Sequence, residues 1–276
     1  MNLSLFRCPV CSAPLAREAG SYLCPRGHRY DIAREGYVHL LPPNRKHSKA
    51  PGDDKDMVAA RARFLSQGYY APLLDTLEQA ALRYADESPV LLDSGCGEGY
   101  YTAGVAAALR AGGGGVRAAG ADLSKFALRR AARRDRDSEF AVASAYRLPV
   151  ADGRVNLLLN CFSPMAQEEF RRVLSPGGVL LYVVPGPRHL WELKEILYNS
   201  PYPNPDETVL YGGFTHLEIY PLEFPLRLPC REDVEALFHM TPYTWKTPRE
   251  GADRLRALSE LAVRAQFRIH IFRRDP

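Results

Sequence analysis

The sequence predicts an α/β protein with a mostly parallel sheet, preceded by a small metal-binding module. Two observations support the large unit: strand-like and helical segments alternate from residue 90 onward, and a glycine-rich turn joins the first strand to its helix. Alternating strands and helices form parallel sheets with right-handed crossovers. A third observation supports the small unit, because three cysteines and a histidine near the N-terminus have the spacing Cys-x2-Cys-x12-Cys-x3-His.

The small unit is predicted to span residues 1–41 and to bind zinc through Cys8, Cys11, Cys24 and His28. The segments CPVC and CPRGH are short turns that each bring two ligands to one metal. Three thiolates and one imidazole complete a closed tetrahedron, which is typical of structural zinc. A redox Cys-x-x-Cys pair is the alternative interpretation, but it leaves the second pair unexplained. The apolar segments here are too short to form a core, so we expect zinc to supply stability.

Residues 42–56 are predicted to be a basic linker. The linker contains prolines and the basic residues Arg45, Lys46, His47 and Lys49, a composition suited to phosphate contacts. A second basic cluster lies on a predicted helix, where we expect a solvated helix face rather than an RNA contact. That cluster consists of Arg129, Arg130, Arg133, Arg134 and Arg136.

The large unit is predicted to span residues 57–276. Apolar residues at helical spacing over 57–85, with a break near Gly68, predict two helices before the sheet. Two strand-like segments in the tail are expected to pair antiparallel at the sheet edge. The expected strands are 90–93, 116–121, 139–143, 155–159, 179–184, 217–224 and 267–272, and the remaining expected helices are 101–109, 125–134, 167–174, 231–238 and 253–264.

The turn after the first strand has the sequence Asp93-Ser94-Gly95-Cys96-Gly97-Glu98-Gly99. Glycines here allow the backbone to approach a ligand at the carboxyl edge of a parallel sheet. The pattern D-x-G-x-G-x-G favours S-adenosylmethionine over the dinucleotide pattern G-x-G-x-x-G, and Asp122, which ends the next strand, is placed to accept hydrogen bonds from ribose hydroxyls. The alternatives are an NAD site and a purely structural turn.

Composition and charge bear on the partners of the protein and on the compartment in which we expect it. A net charge of +4 permits an RNA partner without requiring one. Beyond the zinc ligands, Cys96, Cys161 and Cys230 are an odd number of cysteines, so a disulfide framework is not expected and a reducing cytoplasm is. Too few residues precede the first zinc ligand for a signal peptide, and no apolar run approaches the roughly 20 residues that span a bilayer.

Together these segments resemble the bacterial 23S rRNA guanine-N1 methyltransferases over nearly the whole chain. The resemblance is carried, in order, by CPVC, CPRGH, EGYVHLLP, PGD, LDSGCGEGYYT, PGPRHL and MTPYTW. The segment NCFSPMAQEEFRRVL is more similar to the Gram-positive branch, whose members are associated with resistance to macrolides such as tylosin.

The resemblance implies a zinc-binding module joined to a class I S-adenosylmethionine-dependent methyltransferase domain with a Rossmann-like sheet. It implies methylation of N1 of a guanine in a hairpin loop of 23S rRNA that lines the peptide exit tunnel, and a homodimer with a cleft for RNA. It also implies that Cys8, Cys11, Cys24 and His28 bind zinc and that Tyr70, Gly97, Glu98 and His189 line the S-adenosylmethionine pocket.

Several site residues have no assigned chemistry at this point. Ser144 stands where methyltransferases often have an acid, so adenine contact there would use its hydroxyl or the backbone. The proton acceptor is unassigned; His189 is a candidate, with cofactor binding or packing as the alternative. Asn160 or Phe162 could hold the target base by a hydrogen bond or by stacking, with core packing as the alternative for Phe162. Tyr243 and Trp245 could stack on RNA or pack inside, and we expect Trp245 to pack.

Two other functions remain open. The chain could methylate a small molecule or a protein, with zinc only stabilising the fold. It could also be a non-catalytic RNA-binding protein that retains a cofactor domain. The intact loop from Asp93 to Gly99 argues against the second of these, and the chain-long resemblance argues against the first.

Overall fold

The computed structural model describes residues 2–42, 52–113, 115–206 and 209–276. The N-terminal residues form a small antiparallel sheet of four strands in the order β1-β2-β3-β4. The turn between β2 and β3 has positive φ at Ala19 (31°) and Gly20 (90°), the handedness that matches the twist of a hairpin. The sequence patterns predicted no strands here. They are β1 Asn2–Arg7, β2 Pro14–Glu18, β3 Ser21–Leu23 and β4 Arg29–Asp31.

The next strand, β5 Tyr37–His39, belongs to the large sheet although it lies within residues 1–41. It pairs in parallel with a strand of the second unit, and Val38 is completely buried. We expected this segment to depend on the metal for its stability. In the structure this segment is instead stabilised as an edge strand of the large sheet, which its apolar residues complete.

Within the described residues, the large sheet has eight strands in the order β11-β12-β10-β9-β6-β7-β8-β5. Strands from β10 to β5 are parallel, and β12 and β11 add antiparallel at the other edge, as the sequence predicted. This is the sheet of the class I methyltransferases. Its strands are β6 Val90–Ser94, β7 Arg117–Asp122, β8 Glu139–Val142, β9 Val155–Cys161, β10 Leu174–Pro185, β11 Phe214–Leu228 and β12 Leu261–Arg274.

Most of the helices agree with the predicted ones. The predicted helix 253–264 is wrong, because the helix there ends at Arg256 and β12 begins at Leu261 with alternate residues buried. The short helices α6 and α8 were not predicted. The helices are α1 Lys55–Ser66, α2 Ala71–Tyr84, α3 Tyr100–Ala111, α4 Lys125–Arg134, α5 Gln167–Val173, α6 Trp191–Leu197, α7 Arg231–His239, α8 Tyr243–Lys246 and α9 Arg249–Arg256.

No helix connects β8 to β9, over residues that the structure describes in full, and the small sheet packs beside that connection. Phe6 forms an isolated antiparallel bridge with Val150, and the Arg7 amide donates to the Pro149 carbonyl at 2.7 Å. Apolar residues of both units share one buried cluster, which includes Leu5, Phe6, Leu15, Tyr22, Leu92, Ala119, Ala141 and Leu158. The small sheet therefore covers a face of the large sheet.

The opposite face of the large sheet is covered by helices. Its core joins α2 and α3, through residues such as Leu73 and Val105, to the antiparallel strand β12, through Phe267 and Ile269. Two faces buried in this way explain why the central strands are nearly continuous apolar runs. In the described part of the chain, no helix is long and apolar enough to cross a bilayer.

Candidate active site and zinc centre

The four residues predicted to bind zinc converge in the small sheet. Their ligand atoms all lie within 4.8 Å of one another. The Cys11 and Cys24 Sγ atoms are 3.3 Å apart, and His28 Nδ1 is 3.5 Å from the Sγ atoms of Cys8 and Cys11. Three sulfurs and one nitrogen at such spacing fit a tetrahedral zinc ion with no open position. The centre is structural, because no ligand position is left for a substrate.

A cavity of about 820 Å³ opens at the carboxyl ends of β7, β6, β9 and β10. This edge is where parallel α/β sheets bind ligands. Most residues predicted to contact the cofactor or the target line it, namely Tyr70, Asp93, Gly95, Gly97, Glu98, Asp122, Ser144, Phe162 and His189. Gly99 and Asn160 are not among the lining residues.

The glycine-rich loop is tied to the neighbouring strand by backbone hydrogen bonds. The amides of Gly95 and Cys96 donate to the Ala121 carbonyl at 2.8 and 3.1 Å, and the Gly97 amide donates to Asp122 Oδ2 at 2.9 Å. Gly95 has a φ of 82°, and a Cβ there would lie 2.2 Å from Ser163 Oγ. Only glycine fits at this position, so the loop can approach a ligand closely.

Gly99 and Asn160 lie outside the cavity lining, where they serve the packing of helices and the joining of strands. A Cβ on Gly99 would lie 2.8 Å from Ala131 Cβ, so this glycine allows α3 to pack closely on α4 instead of facing the cavity. Asn160 is fully buried, and its Nδ2 donates to the Ser94 carbonyl at 3.0 Å, which joins β9 to β6. Neither residue lines the cavity, although Asn160 Oδ1 has no hydrogen-bond partner in the protein.

Asp93 offers an unpartnered buried acceptor to the cavity. Its Oδ2 accepts from Thr102 Oγ1 at 2.5 Å, whereas its Oδ1 has no partner in the protein. Burial raises the pKa of Asp93 to about 7. A buried acceptor without a donor is a place for a ligand donor, and the ammonium group of S-adenosylmethionine is one. Asp122, whose pKa is raised by burial, lies at the end of β7, where ribose hydroxyls are bound.

Glu98 is fixed by an arginine of α4. Its Oε2 pairs with Arg134 Nη2 at 2.6 Å, while Oε1 has no partner; burial raises the pKa of Glu98 and Arg134 opposes this. The prediction that the arginines of α4 form only a solvated face is therefore wrong for Arg134. Two others, Arg129 and Arg133, lie 3.9 and 3.3 Å from the carboxylate of Glu35.

His189 is held in one tautomer. Its Nδ1 accepts from the Gln266 amide at 3.1 Å, so the proton of the neutral ring is on Nε2, which lies 3.5 Å from the Tyr70 hydroxyl oxygen. Burial lowers the pKa of His189 to about 3. A neutral imidazole whose free lone pair is already engaged is poorly suited to accept a proton. Its position supports the pocket-lining prediction and not the catalytic one.

Two other predicted residues lie on the open wall. The Phe162 side chain is 46% exposed at the end of β9, with a φ of 56°, so it is not simply a core residue. Ser144 Oγ accepts from the Tyr146 amide at 3.3 Å. Trp245 was expected to pack, but it is 70% exposed on α8, a single turn in which no residue is fully buried.

The part of the cavity built from α6 and the segment after it was not predicted from the sequence. The segment following α6 contributes Tyr198, Tyr202 and Asn204, and α6 contributes Lys194. These residues follow no motif, so no local spacing reveals them. Tyr243 of α8, which was considered for stacking or packing, also lines this part of the cavity. The one available signal is Lys194, a charged residue on the apolar side of α6 between the buried Leu193 and Leu197.

Fold and cavity place the chain among the class I S-adenosylmethionine-dependent methyltransferases, with a structural zinc centre in front. Two family matches agree with this. Residues 6–49 match the zinc-ribbon family described as RlmA, N-terminal, and residues 91–178 match the family described as Methyltransferase domain.

Named relatives define the family more closely. The Streptomyces fradiae 23S rRNA (guanine(748)-N(1))-methyltransferase is 42% identical over 69% of this chain and 67% of its own. Two provisionally named 23S rRNA (guanine-N(1)-)-methyltransferases also match. The Micromonospora griseorubida protein is 38% identical over 97% of this chain and 96% of its own. Bacillus subtilis YxjB is 33% identical over 95% and 93%. The chain belongs to the family of 23S rRNA (guanine-N1)-methyltransferases.

Proposed function

We propose that this protein methylates N1 of a guanine in a hairpin loop of 23S rRNA. The observation that carries the proposal is a cavity with two chemically different halves. One half, around Asp93, Gly97 and Asp122, is acidic and glycine-rich, while the other contains the exposed rings of Phe162 and Tyr202. The first suits a cationic cofactor with ribose hydroxyls, and the second suits a planar base.

S-adenosylmethionine supplies a methyl group on its sulfonium. Asp93 and Asp122 would hold its ammonium and ribose groups, and the Gly95–Gly97 backbone would lie against it, with Tyr70, Glu98, Ser144 and His189 as further contacts. A neutral His189 is favourable here, because it adds no positive charge beside a cationic cofactor.

The acceptor must expose its Watson–Crick edge, since N1 lies there. A guanine in a hairpin loop is unpaired, so it can enter the cavity at a lower cost than a base in a duplex. Aromatic rings at the wall can stack on it. Phe162 is placed for this, because it follows β9 and faces the cavity beside Tyr101, at 6.4 Å between ring centroids.

Several finer points extend this proposal. We assign residues 1–41 to zinc binding and RNA recognition, 42–56 to a basic linker and 57–276 to methyl transfer. Arg45, Lys46, His47 and Lys49 of the linker lie outside the described residues, so their RNA contact rests on charge alone. We further propose a homodimer, a cytoplasmic location and a contribution to resistance against tylosin-type macrolides.

Methyl transfer to unmodified 23S rRNA tests the function. The protein is incubated with the rRNA and labelled S-adenosylmethionine, and reverse transcription is then mapped, since a methyl group on N1 blocks base pairing. We expect labelled RNA and one strong stop next to a guanine of the hairpin loop. When each loop guanine is changed to adenine in turn, only the change at the methylated position should remove the stop. Labelling of a protein or small molecule instead of RNA would contradict the proposal.

A further inference from the structure

Lys194 is a buried cation in the cavity without a carboxylate partner. Its side chain lines the cavity from α6 and only 4% of the residue is exposed. Among the described residues, no carboxylate lies within ion-pair distance of its Nζ. Burial lowers the pKa of Lys194, which reflects the cost of its charge there. A ligand group that carries negative charge would offset this cost.

The Lys194 ammonium is held in place with one donor to spare. Its Nζ donates to the Tyr202 carbonyl at 3.1 Å and to Asn204 Oδ1 at 2.8 Å. The ring centroids of Tyr202 and Tyr243 lie 5.7 and 5.8 Å from Nζ, within cation–π range. Because an ammonium group has three N–H donors, one remains for a group in the cavity.

The position of α6 places this donor in the half of the cavity that would hold the target guanine. The cavity follows the strand ends from β7, which carries Asp122, to β10, which ends at Pro185, and α6 follows β10. The loop from Asp93 to Gly97 follows β6, whereas α6 follows β10, and β9 lies between these two strands in the sheet. The titratable groups that line the cavity with Lys194 from α6, α8 and the segments beside them are those of His189, Tyr198, Tyr202, Tyr243 and Lys246.

Guanine presents a matching acceptor. Its C6 carries the oxygen O6, whereas C6 of adenine carries an amino group, which is a donor. When N1 of guanine loses its proton, negative charge spreads over N1 and O6. A fixed donor aimed at the atom where charge develops stabilises that state, and does so strongly in a buried site.

We propose that Lys194 Nζ donates a hydrogen bond to O6 of the target guanine and stabilises the anion formed during methylation, an inference that rests on the proposed function. In the balanced step the N1 proton leaves to solvent water and the N1 lone pair forms the bond to the methyl carbon. The carbon–sulfur electron pair stays on sulfur. The same hydrogen bond selects guanine over adenine, because two donors would otherwise face each other.

Single-turnover rates across pH test this role. At saturating RNA and S-adenosylmethionine, Lys194→Met should lower the rate at neutral pH by about 100-fold, as for loss of one donor to a developing oxyanion. The pH at which the rate levels off should rise, because N1 ionises less readily, and Lys194→Arg should recover part of both effects. The matched control Lys125→Met removes an exposed lysine of α4 and should leave the profile unchanged. An equal loss at every pH, or no loss, would overturn the proposal.

A second measurement uses wild-type protein, so that it does not depend on the folding of a variant. Hairpin RNAs carrying inosine or 2,6-diaminopurine at the target position compete with the natural hairpin. Inosine keeps O6, whereas 2,6-diaminopurine carries an amino group at C6. We expect inosine RNA to bind about tenfold more tightly, the effect of one hydrogen bond to a charged group. Equal competition would contradict the role of Lys194, whereas wild-type protein that methylates no RNA would refute the proposed function itself.

Discussion

Two glycines of the loop after β6 have positive φ angles for different physical reasons. At Gly95 a side chain would collide with Ser163 at the end of β9, in the wall of the cavity. At Gly99 it would collide with Ala131 of α4, away from the cavity. The motif D-x-G-x-G-x-G correctly placed the loop, but it could not separate these roles, because the colliding residues lie more than thirty positions away.

Replacement of Gly95 by alanine should weaken cofactor binding beyond what a loss of folding stability would cause. Gly95→Ala should weaken S-adenosylmethionine binding by about tenfold or more, since relieving an overpacked contact costs about 1–3 kcal/mol. Gly177→Ala is the matched control, because Gly177 has a φ of 79° with nothing within 4 Å of a Cβ. It should lose only about 1–2 kcal/mol of stability, the cost of the left-handed conformation. Calorimetric titration and thermal unfolding measure both quantities, and equal cofactor affinities in the two variants would contradict the steric interpretation.

At the scale of elements, one carboxylate joins the small sheet to β8. Glu139 begins β8 and accepts hydrogen bonds from the Ser4 hydroxyl, from the Leu5 amide at 2.9 Å and from the Tyr22 hydroxyl at 3.0 Å. Arg117 of β7 lies 3.9 Å from the same carboxylate. Sequence analysis treated residue 139 only as the start of a strand, since nothing local indicates that it reaches strands β1 and β3.

Loss of this carboxylate should loosen the contact between the two sheets. Glu139→Ala leaves the buried Tyr22 hydroxyl and the Leu5 amide without an acceptor, so we expect the free energy of unfolding to fall by about 1–3 kcal/mol for each unsatisfied group. Glu18→Ala, which removes an exposed carboxylate of β2, should change it little. Urea unfolding checks both variants. Amide hydrogen exchange should also show faster exchange in β1 of Glu139→Ala, and exchange unchanged there would count against the link.

For the molecule as a whole, the zinc centre belongs to a core that the two units share. Cys8 and Cys24 pack in the same buried cluster as Leu92 of β6 and Leu158 of β9, the strands that carry the cavity. The sequence suggested a separate arm attached by a linker. The structure shows a ribbon that occupies the face where no helix joins β8 to β9.

Removal of zinc should therefore affect the methyltransferase domain as well as RNA recognition. We expect Cys24→Ala to lower the free energy of unfolding by about 3 kcal/mol or more, since structural zinc contributes roughly 10–16 kcal/mol in isolated zinc-finger peptides. S-adenosylmethionine affinity should fall too, because the ribbon supports β6 and β9. Cys230→Ala, which removes a cysteine outside the zinc centre, is the matched control. Thermal unfolding and calorimetry check this, and unchanged cofactor affinity in zinc-free protein would show that the ribbon is an independent arm.

The sequence by itself determined the features that depend on short-range spacing. The zinc ligands follow from two turns, the parallel sheet follows from alternating strand-like and helical segments, and the cofactor loop follows from glycines between Asp93 and Gly99. These patterns are local, because a turn or a strand is set by neighbours within a few residues. The helix expected over 253–264 failed, since residues 261–264 begin β12 and are held by pairing with β11.

Only the tertiary structure decided which distant side chains meet. It brought Lys194, Tyr202 and Tyr243 to one wall of the cavity, fixed His189 as a neutral ring against Tyr70, and moved Gly99 and Asn160 out of contact with the ligand space. It also joined the zinc ribbon to the sheet through Glu139. Such contacts link residues far apart in the chain, and their geometry depends on how whole elements pack, which no local pattern encodes.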